Sequence, residues 1–547
     1  MKKLIILNFL FFAFVMSVVE AQVTQEWLAT YSGVGTGYNT PRKSAIDKFG
    51  NYIVAGSSEN FQDYDYIVLK YNISGNLLWS RRYNSPVNRY DYLTDMILDD
   101  SGNVYITGES QVESSGGDLD WITIKYKPNG DTAWIRSFEW TGNGPDEPFS
   151  ITLDKLNNVF ITGFCLASPP NGRDMVTAKY NSNGDFQWAK NYSSANFGSD
   201  WGYSVVTDDS NNVYSSGYGS IPTGNEIVTI KYNTHGDEIW IRKFPTLGGD
   251  YLRPVKSIKD KENNIIVNDL YYPSGDYGFN TIKYNTNGDL LWNRFYKGAG
   301  NLNFCFALCT DSSGNIYAAG RNTSVGTGND FLTIKYNMFG DTSWIRIYDG
   351  GDSLSDETNS IGIDSLENVY VTGKSQSPGI AFLDFLTIKY NSTGNLVWEK
   401  RYNGLGIPYM SDVAYTISVD KKGSAIISGN SELSNNHSGI VTIKYSSVTN
   451  IFNNNLKNEN LEYSLFQNYP NPFNPITTIS YDIPNDENVN IKVFDLTGRE
   501  IQTLVNEMKQ SGKYKIIFDG SNLASGVYFY KIEAGSFVKT RRMLLIK

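Results

Sequence analysis

The sequence predicts an all-β protein: an eight-bladed β-propeller closed by its N-terminal strand, followed by a small C-terminal β-sandwich. Three observations lead to this fold class: a repeat of 52 to 55 residues, a composition that favours strands, and repeat ends that complement each other. Aromatic residues make up 14% of the 547 residues, charged residues only 19%, and 50 glycines are available for turns. That composition favours many short strands over helices.

A tryptophan marks each period of the repeat. The eight tryptophans at this position are Trp27, Trp79, Trp134, Trp188, Trp240, Trp292, Trp344 and Trp398. A Lys-Tyr pair precedes each of them from the second onward, and one further pair stands alone; the tyrosines are Tyr71, Tyr126, Tyr180, Tyr232, Tyr284, Tyr336, Tyr390 and Tyr445.

Each period contains four predicted strands, which in the fourth repeat are Gly202–Asp209, Asn212–Gly217, Glu226–Tyr232 and Glu238–Phe244. They are rich in β-branched or aromatic residues and are bounded by turn residues. The third has apolar residues on both faces, as expected for a sheet that packs between two neighbours. Gly236 follows it in a turn that needs a residue with positive φ.

The two ends of the repeat predict closure. The last repeat has three strands and lacks a fourth, whereas residues 25–31 form a fourth strand that lacks the other three. If the N-terminal strand completes the last blade, the ring has no exposed edge. The sequence therefore predicts an eight-bladed propeller over residues 22–446.

The N-terminus has the pattern of a secretory signal peptide, residues 1–21. Lys2 and Lys3 precede a long apolar stretch, and Ala21 provides the small residue expected before cleavage at Gln22. No other segment is long and apolar enough to cross a bilayer, so we predict no transmembrane span after cleavage. The three cysteines do not suggest a disulfide framework.

The repeat resembles the SBBP-type β-propeller repeat of exported bacterial proteins. The likeness lies in the "GN-V-Y-x-T-G" strand and the "D-x-x-T-I-K-Y-x-x-x-G" hairpin, and it extends over about four fifths of the chain. That family is defined by its architecture, so the resemblance implies no reaction.

A polar, Asn-rich linker, residues 447–460, leads to a C-terminal domain, residues 461–547. Its segments "YPNPFNP", "VFDLTGREI", "LASGVYFYKI" and "KTRRMLLIK" follow one another in the order found in the type A C-terminal sorting domain of the type IX secretion system, which this domain resembles. The resemblance implies export by the signal peptide and then by the type IX translocon, to the outer-membrane surface or the medium.

The same resemblance implies which residues form the sorting signal: Gly526, Val527, Tyr528, Lys539, Arg541, Arg542 and Lys547. The four cations at the end of the chain have two interpretations, translocon recognition or solubility. We favour recognition because of the resemblance.

Composition and motifs restrict the chemistry. A formal charge of −10 argues against nucleic acid as a partner. The two histidines lie in polar turns, and no metal-ligand spacing or phosphate-binding glycine loop is present. Quinoprotein dehydrogenases have eight blades and a Gly-x-x-x-Trp motif that "GDEIW" resembles, but the tryptophan there is structural and does not predict the cofactor.

Recurrent aspartates ahead of the first strand are the candidate metal ligands. They are Asp91, Asp146, Asp200, Asp250, Asp356 and Asp412. A ring of carboxylates near the channel could bind calcium or a polyhydroxylated ligand. Alternatively, each aspartate accepts hydrogen bonds from backbone N–H groups of its own turn. We favour this second interpretation and predict no cofactor, with calcium as the alternative.

The sequence thus predicts an exported, non-enzymatic binding or adhesion module at the cell surface or in the medium. Its expected partners are the translocon and an extracellular protein or polysaccharide. The alternative is an enzyme on the propeller face, acting on polysaccharide or quinoprotein-like. The repeats are nearly uniform, which favours a scaffold or a multivalent binding surface.

Overall fold

The computed structural model describes residues 23–546, apart from 35–36, 62, 113–118, 141–143, 167–171, 195–197, 223, 247–254, 272–277, 301–302, 325–327, 352–353, 377–381, 405–410, 435–436, 448–462 and 469. The predicted signal peptide and most of the predicted linker lie outside these residues, and their boundaries stay predictions. The described part of the chain contains strands and no helix, and hence no helix that could cross a membrane. The all-β prediction is confirmed. Two compact units are present, Met1–Thr449 and Asn450–Lys547.

The described residues of the first unit form eight four-stranded antiparallel sheets, here called blades 1 to 8. β1 (Val23–Tyr31) belongs to blade 8. Blade 1 contains β2 (Asn39–Ile46), β3 (Tyr52–Glu59), β4 (Tyr64–Tyr71) and β5 (Leu77–Tyr83). Blade 2 contains β6 (Asp91–Leu98), β7 (Val104–Ser110), β8 (Asp120–Tyr126) and β9 (Thr132–Phe138). Blade 3 contains β10 (Glu147–Leu153), β11 (Val159–Leu166), β12 (Arg173–Tyr180) and β13 (Phe186–Tyr192). Blade 4 contains β14 (Trp201–Thr207), β15 (Val213–Ile221), β16 (Gly224–Tyr232) and β17 (Glu238–Pro245).

The other four blades follow the same order of strands. Blade 5 contains β18 (Lys256–Lys259), β19 (Ile265–Tyr271), β20 (Gly278–Tyr284) and β21 (Leu290–Tyr296). Blade 6 contains β22 (Phe304–Thr310), β23 (Ile316–Ser324), β24 (Gly328–Tyr336) and β25 (Thr342–Tyr348). Blade 7 contains β26 (Asp356–Ile363), β27 (Val369–Gln376), β28 (Leu383–Tyr390) and β29 (Leu396–Tyr402). Blade 8 contains β30 (Val413–Val419), β31 (Ala425–Ser434), β32 (His437–Ser447) and β1.

Blade 8 joins the two ends of the repeat. β1 pairs antiparallel with β32, with Trp27 opposite Lys444. Blade 8 also contacts blade 1, where the hydroxyl oxygens of Ser44 and Thr416 lie 2.6 Å apart. The N-terminal strand therefore occupies the fourth position of the last blade, as the unmatched repeat ends predict.

The motif tryptophans pack against the next blade. The indole N–H of Trp79 in blade 1 donates to the carbonyl of Pro128 in blade 2, at 3.0 Å. Its ring covers Gly130, which has a φ of +88°, and a Cβ at Gly130 would lie 2.9 Å from the ring. Trp27 of blade 8 covers Gly75 of blade 1 in the same way. The repeated glycine and tryptophan are thus two halves of one contact between neighbouring blades.

The second unit forms two sheets around one core. One sheet contains β33 (Ser464–Leu465), β34 (Ile476–Ile483) and β37 (Gly512–Asp519), and the other contains β35 (Glu487–Phe494), β36 (Glu500–Lys509), β38 (Gly526–Ala534) and β39 (Phe537–Leu545). Buried side chains of both sheets, such as Ile479 and Ile532, belong to a single apolar cluster. Two sheets around a shared core form a small sandwich, as the sequence predicts.

Candidate functional site

The predicted aspartates are buried and bonded within their own blades. Asp146 accepts backbone N–H groups from Trp140 at 3.0 Å and Leu166 at 2.9 Å, and Asp200 accepts those of Ser194 and Ser220. The other described members are Asp91, Asp356 and Asp412, which also accept backbone hydrogen bonds. Asp250 lies outside the described residues. These bonds correspond to the favoured, turn-stabilising interpretation, and calcium binding by the ring stays an untested alternative.

Burial raises the pKa of these carboxyl groups. For Asp91 the pKa rises to about 7, because burial disfavours the charged carboxylate. The hydrogen bonds from the Ser110 hydroxyl and the Ser85 backbone stabilise the carboxylate and oppose this rise. The nearby carboxylate of Asp65, on β4 of the neighbouring blade, adds to the rise. Blade 1 has Asn39 at the position of Asp91, opposite Ser58 as Asp91 is opposite Ser110. A neutral amide therefore already occupies this position in blade 1.

We predict that Asp91→Asn weakens the pH dependence of propeller stability. Between pH 3.8 and about pH 7, Asp91 holds a proton in the folded protein but loses it in the unfolded chain. The free energy of unfolding therefore falls as the pH rises through this window. The variant lacks this contribution, which amounts to up to about 4 kcal/mol between pH 4 and pH 8. Thermal melting followed by tryptophan fluorescence at the two pH values measures the difference. An unchanged pH dependence would contradict the assignment.

Within the described residues, one group of three acidic side chains has its oxygens close enough together to hold a metal ion. The carboxylate oxygens of Asp330, Asp349 and Asp356 lie within 4.8 Å of one another. Asp356 belongs to the predicted set, and the other two do not.

A β-bulge interrupts the first strand of seven blades in the described part of the chain. A bulge leaves one residue unpaired and bends the strand. The bulge residues are Arg42, Thr94, Phe149, Tyr203, Phe306, Asn359 and Tyr415. Their chemistry changes from blade to blade, so the expectation of nearly uniform repeats is wrong at this position.

The first strands of all eight blades line a cavity of about 420 Å³, which is the central channel. A second cavity of about 370 Å³ adjoins it, since both are lined by Arg42, Thr94, Phe149 and Lys256. We call this second cavity the mouth pocket. Its lining residues are Arg42, Tyr92, Thr94, Glu109, Glu147, Phe149, Tyr203 and Lys256.

Four charged side chains of the mouth pocket are not bonded to other described residues. Over the described residues, the charged groups of Arg42, Glu109, Glu147 and Lys256 have neither an ion-pair nor a hydrogen-bond partner. The pKa of Glu109 is raised to about 7, mainly by burial; the neighbouring Glu147 carboxylate contributes to the rise, and Arg42 opposes it. Burial also raises the pKa of Glu147. Perturbed, unpaired carboxyl groups in a cavity are typical of functional sites.

Aromatic rings surround these charges. The rings of Phe149 and Tyr203 lie 4.9 Å apart, and Trp201 stacks on Tyr203 at 6.0 Å. The Arg42 guanidinium lies 4.8 Å from the centre of the Tyr92 ring. The buried indole N–H of Trp201 has no hydrogen-bond partner within the described structure. Trp201 does not line the pocket itself; the pocket combines the aromatic rings of Tyr92, Phe149 and Tyr203 with its charged groups.

Blades 6 and 7 show how the equivalent strand positions look without such a pocket. The Arg321–Glu357 pair is 3.0 Å long, and Lys374 lies 3.3 Å from the same carboxylate. Glu357 is opposite Lys374 in its blade, as Glu147 is opposite Phe164 in blade 3. Charged residues at these positions therefore neutralise one another in blade 7 but not at the mouth pocket.

The sequence interpretation missed the mouth pocket because it compared positions that repeat. Arg42, Glu109, Glu147 and Lys256 come from blades 1, 2, 3 and 5, and none belongs to the repeat motif. One signal in the sequence could have revealed the pocket: the residues of the first strand differ from repeat to repeat, whereas the fourth strand keeps its tryptophan.

The predicted sorting residues lie on the last two strands of the second unit. Gly526 begins β38 opposite Leu545, and the Tyr528 hydroxyl donates to the Ala524 carbonyl at 2.8 Å. Arg541 donates to the Leu465 carbonyl at 3.2 Å. Val527 is half-buried, Lys539 and Arg542 are exposed, and Lys547 lies outside the described residues. Their role in sorting stays a prediction.

Two parts of the chain match known family models. Residues 467–547 match the secretion system C-terminal sorting domain, and residues 344–380 match the beta-propeller repeat. Both resemblances seen in the sequence are thereby confirmed. The type IX sorting domain indicates export to the cell surface or the extracellular space and implies interaction with the secretion machinery. No curated protein matches the chain.

Several solved structures are similar in fold. PorZ, a surface component of the type IX secretion system of Porphyromonas gingivalis, is 14% identical with a TM-score of 0.40, over 92% of this chain and 68% of its own. The polysaccharide lyase Uly1 is 11% identical with a TM-score of 0.38, over 66% of this chain and 92% of its own. The propeller domain of the Trilobed protease from Pyrococcus furiosus is 11% identical with a TM-score of 0.38, over 68% of this chain and 98% of its own. Likenesses this weak support no statement about activity.

Proposed function

We propose that this exported surface propeller binds an extracellular polysaccharide in the mouth pocket. The observation that supports the proposal is the combination of four unpaired charged groups with aromatic rings in one cavity. Sugar hydroxyls both donate and accept hydrogen bonds, so they suit a site that offers carboxylates and cations together. Sugar ring faces are apolar enough to pack on Phe149 and Tyr203.

The test is thermal melting of the full-length protein with dextran, dextran sulfate, polygalacturonate or its methyl ester. Tryptophan fluorescence follows the propeller alone, because all 11 tryptophans precede the sorting domain. A polysaccharide at 100 times its Kd adds about 2.7 kcal/mol to the stability of the folded state.

We expect at least one polysaccharide to raise the melting temperature of the wild type and to have little effect on Glu147→Gln. Glu357→Gln is the matched control, because Glu357 is the equivalent first-strand carboxylate that is already paired. This variant should respond as the wild type does. An absence of any shift with all four polymers, or equal responses of both variants, would contradict the proposal.

Hydrolysis of the bound polysaccharide is the second candidate function. It is favoured by the two carboxyl groups, since glycoside hydrolysis requires one protonated and one ionised carboxyl group beside the glycosidic bond. Here the pKa of Glu109, raised to about 7, suits the acid, and Glu147 is the second carboxyl group of the pocket that is left to act as the base. Reducing ends should then accumulate with the wild type and not with Glu109→Gln; their absence from every incubation leaves binding alone.

A further inference from the structure

We infer that the polysaccharide is acidic, and that Arg42 and Lys256 bind its anionic group at the inner end of the mouth pocket. This inference rests on the proposed function, because it specifies the ligand of the same pocket. The bound part of the ligand is a sugar that carries one anionic group, either a carboxylate or a sulfate.

The positions of the charges support this assignment. Arg42 and Lys256 line both the mouth pocket and the central channel, whereas Glu109 and Glu147 line the mouth pocket only. The cations therefore lie where the two cavities meet, and the carboxyl groups lie farther from the channel. A bound sugar would place its anionic group inward and its hydroxyls beside the two glutamates.

No described residue of the channel forms an ion pair with Lys256. Lys43, at the equivalent position of blade 1, pairs with Asp95 at 3.5 Å. Lys256 is exposed to water but enclosed by the walls of the channel; the protein atoms around it and the charge of Lys43 lower its pKa, against the opposing effect of Asp95. An anion beside Lys256 would relieve the cost of an unpaired charge in this confined space.

Arg42 has the geometry to share that anion. Its guanidinium lies over the Tyr92 ring at 4.8 Å, and no carboxylate of the described residues pairs with it. Stacking occupies one face of the guanidinium and leaves its N–H edge available for two parallel hydrogen bonds to a carboxylate or sulfate.

The neighbouring carboxyl groups restrict the kind of anion. Glu109 and Glu147 in the same pocket would repel a polymer that has charge on every side. A sugar with a single charged group and free hydroxyls satisfies both parts of the site.

The test compares polymers that differ only in charge. Polygalacturonate is paired with its fully methyl-esterified form, and dextran sulfate of low substitution, with no more than one sulfate on most sulfated sugars, with dextran, each titrated into the full-length protein by calorimetry. At least one charged polymer should bind about tenfold tighter than its neutral counterpart, a difference of about 1.4 kcal/mol. The pair that shows the preference identifies the group as carboxylate or sulfate.

The variants locate the preference. Arg42→Gln and Lys256→Gln should each remove most of it, and Lys374→Gln, which changes a lysine already paired with Glu357, should keep it. Both Arg42 and Lys256 are exposed to water, and neither is paired within the described residues, so these variants should melt no lower than the wild type does.

Equal binding of charged and neutral polymers would overturn the inference and leave the proposed function standing. A charge preference that persists in Arg42→Gln and Lys256→Gln would also overturn it, because the anion would then bind elsewhere. Binding of none of the four polymers would contradict the proposed function itself.

Discussion

Removal of residues 23–31 destabilises the propeller by at least about 3–5 kcal/mol, the cost of losing one large packed side chain. The deletion takes Trp27 away from Gly75 and Glu26 away from Lys444, 2.8 Å apart in the intact protein. It also leaves β32 as an exposed edge strand, which invites aggregation. Melting of the deleted full-length chain, followed by the fluorescence of its remaining tryptophans, measures the loss.

A synthetic peptide of residues 22–34 provides the control. Added in excess, the peptide should pair with β32 and restore the melting temperature, because strand addition needs only the open edge and the tryptophan contact. A scrambled peptide should not do so. If the deleted chain melts as the intact protein does, the N-terminal strand does not close the ring.

Trp240→Ala should lower the free energy of unfolding of the propeller by about 3–5 kcal/mol. Trp240 is 7% exposed, its indole N–H donates to the Thr286 carbonyl of the next blade at 3.1 Å, and its ring covers Gly288. The substitution therefore opens a cavity and breaks a hydrogen bond between blades 4 and 5. Chemical denaturation followed by circular dichroism gives the value without relying on the removed fluorophore.

Trp140→Ala is the matched substitution outside the repeat motif. Trp140 is half-buried and packs on Phe138 at 6.1 Å, with its backbone N–H bonded to Asp146. Since alanine keeps that backbone bond, the loss should be clearly smaller than for Trp240. Equal losses would show that the motif tryptophan has no special role between blades.

The outer parts of the blades were predictable because the same local physics acts eight times. The third strand of blade 4 was predicted at 226–232 and extends over Gly224–Tyr232. Gly236 has a φ of +84° and lies under Trp188, so its turn allows no other residue without strain. Repetition made these constraints visible in a single sequence.

The mouth pocket was not predictable in this way. It joins Arg42 to Lys256, which are 214 residues apart and become neighbours only when the ring closes. The aspartates show the opposite case. Asp146 accepts hydrogen bonds from the backbone beside it, and a contact of this kind within a blade is enough to make an aspartate recur. For a repeat protein of this kind, the side chains that differ between blades are the better guide to function.

Hydroxyl-radical footprinting of the full-length protein with and without polygalacturonate tests most directly whether the mouth pocket is the ligand site. Tyr92 and Phe149 are half-buried in the pocket, and Phe339, 68% exposed in a turn of blade 6, is the internal reference for radical scavenging. The ligand should reduce the oxidation of Tyr92 and Phe149 several-fold relative to Phe339. Unchanged relative oxidation of Tyr92 and Phe149 in the presence of bound polymer would contradict the site.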